Sequence, residues 1–261
     1  MTTLTTLLWD VDGTLAETER DGHLVAFNLA FEACGLPWRW SEARYGELLR
    51  VSGGRERLLH DMASRPDAPA LAAERLALAS HLHATKTARY VALVNDRGIP
   101  LRPGVLELMQ ECREQGVQMA IATTTSRANV ETLLRLHLGP RWHEWFAAVV
   151  CGEDVQRKKP DPQVYLRALD LLGAHPLECV AIEDSPAGAA AARGADVPVI
   201  VTPSRYFDAA TIEGAVAIGP GLDQRRGWRP LPGGPSREVG RIGLDDIRAW
   251  CAQMDSVSQH A

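Results

Sequence analysis

The stretch Leu7-Leu8-Trp9-Asp10-Val11-Asp12-Gly13-Thr14-Leu15 constrains the chain more than any other. An apolar run leads into two carboxylates spaced i, i+2, and the Gly-Thr pair ends the strand where a site can form. In extended backbone Asp10 and Asp12 project to one side, and two anions so close repel unless a cation lies between them or one takes a proton. Hard oxygen donors select Mg²⁺ or a similar ion, and a carboxylate beside such an ion can attack a phosphoryl group. Asp10 is the candidate nucleophile.

After this strand, residues from about Glu17 to Gly98 carry helical rather than strand patterns. A helix over His23 to Phe31 stops at Gly35-Leu36-Pro37, Ser41 N-caps a second toward Leu49, and Gly53-Gly54 leads into a basic helix start. Leu71 to Val94 reads as one or two helices. From Ile99 strands alternate with helices, which predicts a parallel sheet covered on both faces. Helices are expected from Pro103 to Gly116 and over 127–138, and strands near 117–123, 147–151, 179–184 and 198–202. Gly219 to Gly243, rich in Gly, Pro and Arg, reads as a surface excursion before a last helix from Leu244, with Arg225, Arg226 and Arg229 solvated. In such sheets ligands bind beyond the strand carboxyl ends, where Asp10/Asp12, Thr123 and Glu183/Asp184 are expected.

The 261 residues suffice for one large domain or a core with a smaller insert. With 46% hydrophobic and 23% charged residues, disorder is not the default. A net charge of −5 argues against a nucleic-acid or anionic-membrane binder. Five widely spaced cysteines without a CxxC pair read as reduced thiols. The N-terminus lacks a basic segment before its apolar run, and no stretch approaches the ~20 apolar residues of a membrane span, so a cytoplasmic location is expected.

The run Asp10-Val11-Asp12-Gly13-Thr14 resembles the first motif of the haloacid dehalogenase superfamily of phosphohydrolases. Thr123, Lys159 before Pro160, and Glu183/Asp184 follow in that superfamily's order. The resemblance implies a Rossmann-like α/β core of residues 1–16 and 99–261 and a helical cap of residues 17–98. It also implies roles. Asp10 attacks phosphorus, Asp12 moves the proton, Thr123 donates from its hydroxyl and amide, and Lys159 holds a phosphoryl oxygen. Asp10, Asp184 and a main-chain oxygen of Asp12 hold Mg²⁺, with Glu183 as a ligand or behind one.

Within the superfamily, Glu17-Thr18-Glu19, His23, Ser52 to Arg57, Lys86-Thr87, Leu101-Arg102-Pro103-Gly104 and Thr123 to Ser126 together resemble the CbbY family. That resemblance implies removal of the 1-phosphate of xylulose 1,5-bisphosphate. A second anion site is then expected at Ser52, Gly53, Gly54 and Arg55, assisted by Lys86 and Ser126 with Thr124 and Thr125 beside it, and Glu19 and His23 meet sugar hydroxyls. Amides at a helix start favour anions, and Arg grips two oxygens. The expected partner is a small phosphorylated sugar, and the chain is expected to be a monomer. Two departures stand out, Trp9 where Phe is common and Gln163 where an Asp often follows Lys-Pro-x-Pro. A sugar-phosphate mutase of the same architecture and a silent binding protein on this scaffold remain open alternatives.

Overall fold

The computed structural model describes residues 3–231 and 239–258. Its centre is a six-stranded sheet, every adjacent pair parallel. The strands are β1 (Thr6–Trp9), β2 (Gln118–Ala122), β3 (Ala148–Val150), β4 (Cys179–Glu183), β5 (Val199–Val201) and β6 (Ala217–Ile218), in the order β3-β2-β1-β4-β5-β6. The chain builds outward from β1 in one direction and, beginning at β4, in the other. The strand order therefore switches between β1 and β4, the place where open α/β sheets bind ligands.

β1 is buried on both faces because its residues alternate between two apolar clusters. Leu7 and Trp9 face one, and Leu8 faces the other. Trp9 is fully enclosed, so its departure from Phe is absorbed by packing.

The insert between β1 and β2 holds four α-helices, α1 (Val25–Ala33), α2 (Glu42–Leu48), α3 (Gly54–Ala63) and α4 (Ala72–Arg97). A turn of π-helix, Glu19–Leu24, runs straight into α1. The Leu71 to Val94 pattern is one continuous helix. Ser41 caps α2 as its sequence requires, accepting from the Arg44 amide at 3.1 Å. Phe27, Phe31, Trp38, Trp40, Tyr45 and Leu82 build a separate apolar cluster under these helices. Asn28 pins it by exchanging bonds with the Trp40 backbone at 2.8 and 3.0 Å. The two chain crossings lie side by side: Ala16 bridges Leu101 antiparallel, and the Arg102 amide donates to Leu15 O at 2.7 Å.

The remaining helices are α5 (Val105–Glu114), α6 (Arg127–Leu138), α7 (Gln163–Leu172), α8 (Pro186–Gly194) and α9 (Leu244–Ser258). Sequence patterning left α7, α8 and the two-residue β6 unassigned. Among the described residues no helix is long and apolar enough to cross a membrane, and all five cysteines are free.

Gly219 to Gly243 corrects the expected surface excursion, although its residues 232–238 lie outside the described residues. Leu222, Trp228 and Ile242 are buried in the main core. Trp228 stacks on Trp250 of α9 with centroids 4.8 Å apart, and its Nε1 donates to Gly221 O and Gln224 O at 3.1 and 3.0 Å. Any side chain at Gly219 would strike that indole, since a Cβ there falls 2.1 Å from Trp228. Arg225, expected in solvent, pairs instead with the buried Asp246. One aromatic within a Gly/Pro/Arg-rich stretch is enough to anchor it, because Trp carries so much apolar area.

Candidate active site

Each strand at the switch point ends in a polar residue of the site. Asp10 directly follows β1, Thr123 follows β2, Glu183 closes β4 and Asp184 comes next. Lys159 reaches them from the loop before α7. Its Nζ donates to Asp10 Oδ1 at 2.6 Å, Glu183 Oε1 at 2.7 Å and Ala122 O at 2.9 Å. Three acceptors satisfy all three ammonium protons. Gln163 plays no direct part in that: its side-chain carbonyl accepts the Gln156 and Arg157 amides at 2.9 and 2.7 Å, fixing the loop that carries Lys159.

The acids are concentrated beyond what water would tolerate. Donor oxygens of Asp10, Glu183 and Asp184 all lie within 4.8 Å of one another, and all three residues are buried. Burial, only partly offset by Lys159, pushes Asp10 up to about 7. Asp184 is raised well above the carboxylate range by burial and by Asp10 and Glu183. Glu183 gives one oxygen to Lys159 and the Tyr165 hydroxyl, while Oε2 has no partner. A buried cluster of hard oxygens with an unpartnered carboxylate oxygen fits a small divalent cation, which would supply the missing positive charge. Gly13 is obligatory beside it, with φ +83° and an imagined Cβ 2.1 Å from Asp184 Oδ2.

Asp12 stands apart from that cluster. Its Oδ1 accepts from Thr18 Oγ1 at 2.6 Å and lies 2.8 Å from His23 Nε2. Burial would raise its pKa, but His23, Thr18 and Lys86 outweigh burial and hold it below the usual carboxylate range. His23 Nδ1 lies 2.8 Å from Lys86 Nζ. An ammonium has only protons to offer, so Nδ1 accepts and the ring proton sits on Nε2, toward Asp12. Burial lowers Lys86 to about 8 against the pull of Asp12 and Glu19. Asp12 lies past the end of β1, in an isolated bridge to Ala16, and both acids line the same cavity.

Thr123 is buried beside Asp10, but its amide donates to Val150 O at 3.1 Å. Of the two donors expected from it, only the hydroxyl is left for a ligand.

The predicted residues meet in one cavity of about 400 Å³. The sheet side brings Asp10, Asp12, Thr123, Thr124, Thr125, Ser126, Lys159 and Asp184; the insert brings Glu19, His23, Ser52, Gly53, Gly54, Arg55 and Lys86. Glu183 lies behind the wall, fully enclosed. Gly53, with φ +91°, immediately precedes α3, whose first residue is Gly54. Arg55 is half exposed and paired with Glu56, whereas the Lys86 ammonium is engaged with His23 and lies over the Phe27 and Tyr90 rings. Glu19 is fixed by the Tyr45 hydroxyl, with Arg57 NH1 3.9 Å away.

Sequence reasoning missed several of these neighbours. Tyr165, in the first turn of α7, and Ser204, in the loop after β5, orient Glu183 and Asp184 and carry no local signal. His83 lines the cavity against Gly54 and is lowered to about 4 by burial and Lys86, so it is neutral. Its place on an amphipathic helix, three residues before Lys86, was the available clue.

Fold and site together define a phosphatase built on the haloacid dehalogenase plan, and the family model for haloacid dehalogenase-like hydrolases matches residues 4–196. The chain is 42% identical over 246 residues to the plasmid-encoded CbbY of Cupriavidus necator, covering 94% of this chain and 95% of that protein. A crystal structure of CbbY from Rhodobacter sphaeroides in complex with phosphate superposes with a TM-score of 0.76 at 40% identity, covering 82% of this chain and 92% of that one. A variant of that protein in complex with xylulose 1,5-bisphosphate matches equally. The chain belongs to the CbbY family of haloacid dehalogenase-like hydrolases.

Proposed function

We propose that this enzyme is a Mg²⁺-dependent sugar-phosphate phosphatase that removes the 1-phosphate of xylulose 1,5-bisphosphate. The observation that carries the reading is the single cavity in which Asp10, Lys159 and Asp184 face an insert surface of glycine amides and Arg55. A substrate with phosphates at both ends matches acid-and-lysine chemistry at one end and an anion cradle at the other. The complex of the Rhodobacter relative with that bisphosphate supports the same choice.

In this reading residues 1–16 and 99–261 are the catalytic core and residues 17–98 a cap that excludes water from the reaction. The protein acts as a cytoplasmic monomer. Asp10 attacks phosphorus to form an aspartyl-phosphate; Lys159, exchanging its bond to the attacking Asp10 oxygen for one to the substrate, and the Thr123 hydroxyl bind the outer oxygens, where the charge resides. Asp10, Asp184 and the main-chain oxygen of Asp12 would hold the metal, with Glu183 a ligand or directly behind one. The ion, when bound, neutralises charge on the transferred group. Asp12, ionised at rest, would take a proton from His23 Nε2 while Lys86 Nζ re-protonates Nδ1, deliver it to the leaving alkoxide, and then take a proton from the water that releases phosphate and return it along the same path.

The test is phosphate release from a panel of phosphorylated sugars with Mg²⁺. Free phosphate from xylulose 1,5-bisphosphate in preference to the others, lost in Asp10→Asn, is expected. An isomeric sugar phosphate as product would make the enzyme a mutase, and turnover of no ester would make it a binding protein.

A further inference from the structure

Arg102 occupies a position that none of the roles above uses. It lies just past the second chain crossing, yet its guanidinium turns back into the sheet end, mostly buried. NH1 donates to Gly13 O and, at 2.7 Å, to Thr202 O; NH2 donates to Pro203 O at 3.3 Å, with Pro220 O at the 3.5 Å limit. Glu17 Oε1 lies 3.7 Å from Nε.

Gly13 O, Thr202 O and Pro203 O belong to the two loops that shape Asp184, while Pro220 O lies in the segment after β6. On one side, Gly13 packs its Cα directly against Asp184 Oδ2. On the other, Pro203 leads to Ser204, whose hydroxyl donates to the same Oδ2. The Thr202 amide is in turn bonded to Glu183 O at 2.8 Å. One planar fork thus holds both walls against a single carboxylate oxygen, and five protons in fixed directions are what such a task requires.

We infer that Arg102 is a positioning residue for the acid cluster, fixing the orientation of Asp184 by clamping the Gly13 turn to the Thr202–Ser204 loop. The inference rests on the reading of Asp10, Glu183 and Asp184 as the Mg²⁺ site. Lysine at this position keeps the charge but concentrates its protons on one nitrogen, so it can serve one loop at a time. The effect of losing Arg102 falls first on metal affinity, because outer partners of metal ligands act by orienting them.

The experiment titrates Mn²⁺ into the full chain by calorimetry and by electron paramagnetic resonance, alongside thermal unfolding in chelator. Arg102→Ala is expected to weaken Mn²⁺ binding by about 10- to 100-fold. Arg102→Lys should recover part of the loss, and excess metal should restore kcat with KM for the sugar phosphate unchanged. Ser204→Ala should weaken binding as well, and its effect should be smaller than additive in the Arg102→Lys background, since both act through Asp184. If Arg102→Ala does not fold, the lysine and Ser204 variants carry the test. Variants that melt earlier but bind Mn²⁺ as the parent does would overturn the inference and leave the metal site standing. A parent chain that binds no Mn²⁺ would overturn both.

Discussion

Lys159 Nζ rests 2.6 Å from Asp10 Oδ1, although 149 positions separate the two in the chain. Both side chains are buried, and Glu183 shares the same ammonium. Removing one member of such a group leaves charge without compensation, which costs about 3–5 kcal/mol. Lys159→Met is therefore expected to lower stability by roughly that amount in metal-free denaturant unfolding at pH 8, where Asp10 is mostly ionised. Adding Asp10→Asn should restore part of it. A Lys159→Met chain as stable as the parent would mean that the pair is not formed in solution.

The cluster also makes metal binding dependent on pH. Asp10 sits at about 7 without a cation, and Asp184 is raised as well. Cation and protons compete for these oxygens, so Mg²⁺ affinity should fall as pH drops through 7 and binding should release protons. Calorimetry in buffers of differing ionisation enthalpy counts those protons; zero release would contradict the raised values. Removal of metal by a chelator should abolish turnover, with recovery on returning Mg²⁺.

His23 lies between Asp12 and Lys86. If its Nε2 proton supports leaving-group protonation, His23→Asn should slow hydrolysis of sugar phosphates, whose alkoxides need a proton, by about 10²-fold or more. p-Nitrophenyl phosphate, which leaves without one, should be much less affected. Equal losses on both substrates would reduce His23 to packing.

Lys86 has a pKa lowered to about 8 by burial, from 10.5. Between those values the native state holds fewer protons than the unfolded one, so the Lys86 contribution to stability rises with pH over that window. Thermal unfolding of the parent should thus gain on Lys86→Met as pH is taken from 8 to above 10. The reverse trend, or none, would show the ammonium to be better solvated than its surroundings imply.

The C-terminal segment should be part of the folding unit. Trp228 and Trp250 are both about 1% exposed and stacked. Trp228→Ala is expected to cost about 3–5 kcal/mol in denaturant unfolding. Gly219→Ala should destabilise through the same indole.

The catalytic ends of the strands were legible because their chemistry is local. Two acids before a Gly-Thr break, or an acidic pair after an apolar run, announce themselves within six residues. What remained hidden depends on distance in the chain. Nothing near Tyr165, Ser204 or Arg102 in sequence marks them as partners of Glu183, Asp184 or Gly13, because the contacts form only once β4, β5 and the second crossing are side by side. The i, i+2 spacing alone does not fix how Asp12 is placed, because β1 ends at Trp9. Lys86, expected only to assist at the second anion site, lines the cavity and also meets His23, a contact that no local pattern announces. Gly219 to Gly243 was read from its average composition, and one tryptophan outweighed the average.

The antiparallel contact of Ala16 with Leu101 has a consequence for how such enzymes diversify. The inserted segment enters and leaves the sheet at neighbouring points, so its span adds no strain to the strands on either side. A different helical module with the same narrow footprint could be exchanged there while Asp10, Lys159 and Asp184 stay where they are. New specificities can then arise by grafting, with the reacting groups inherited intact.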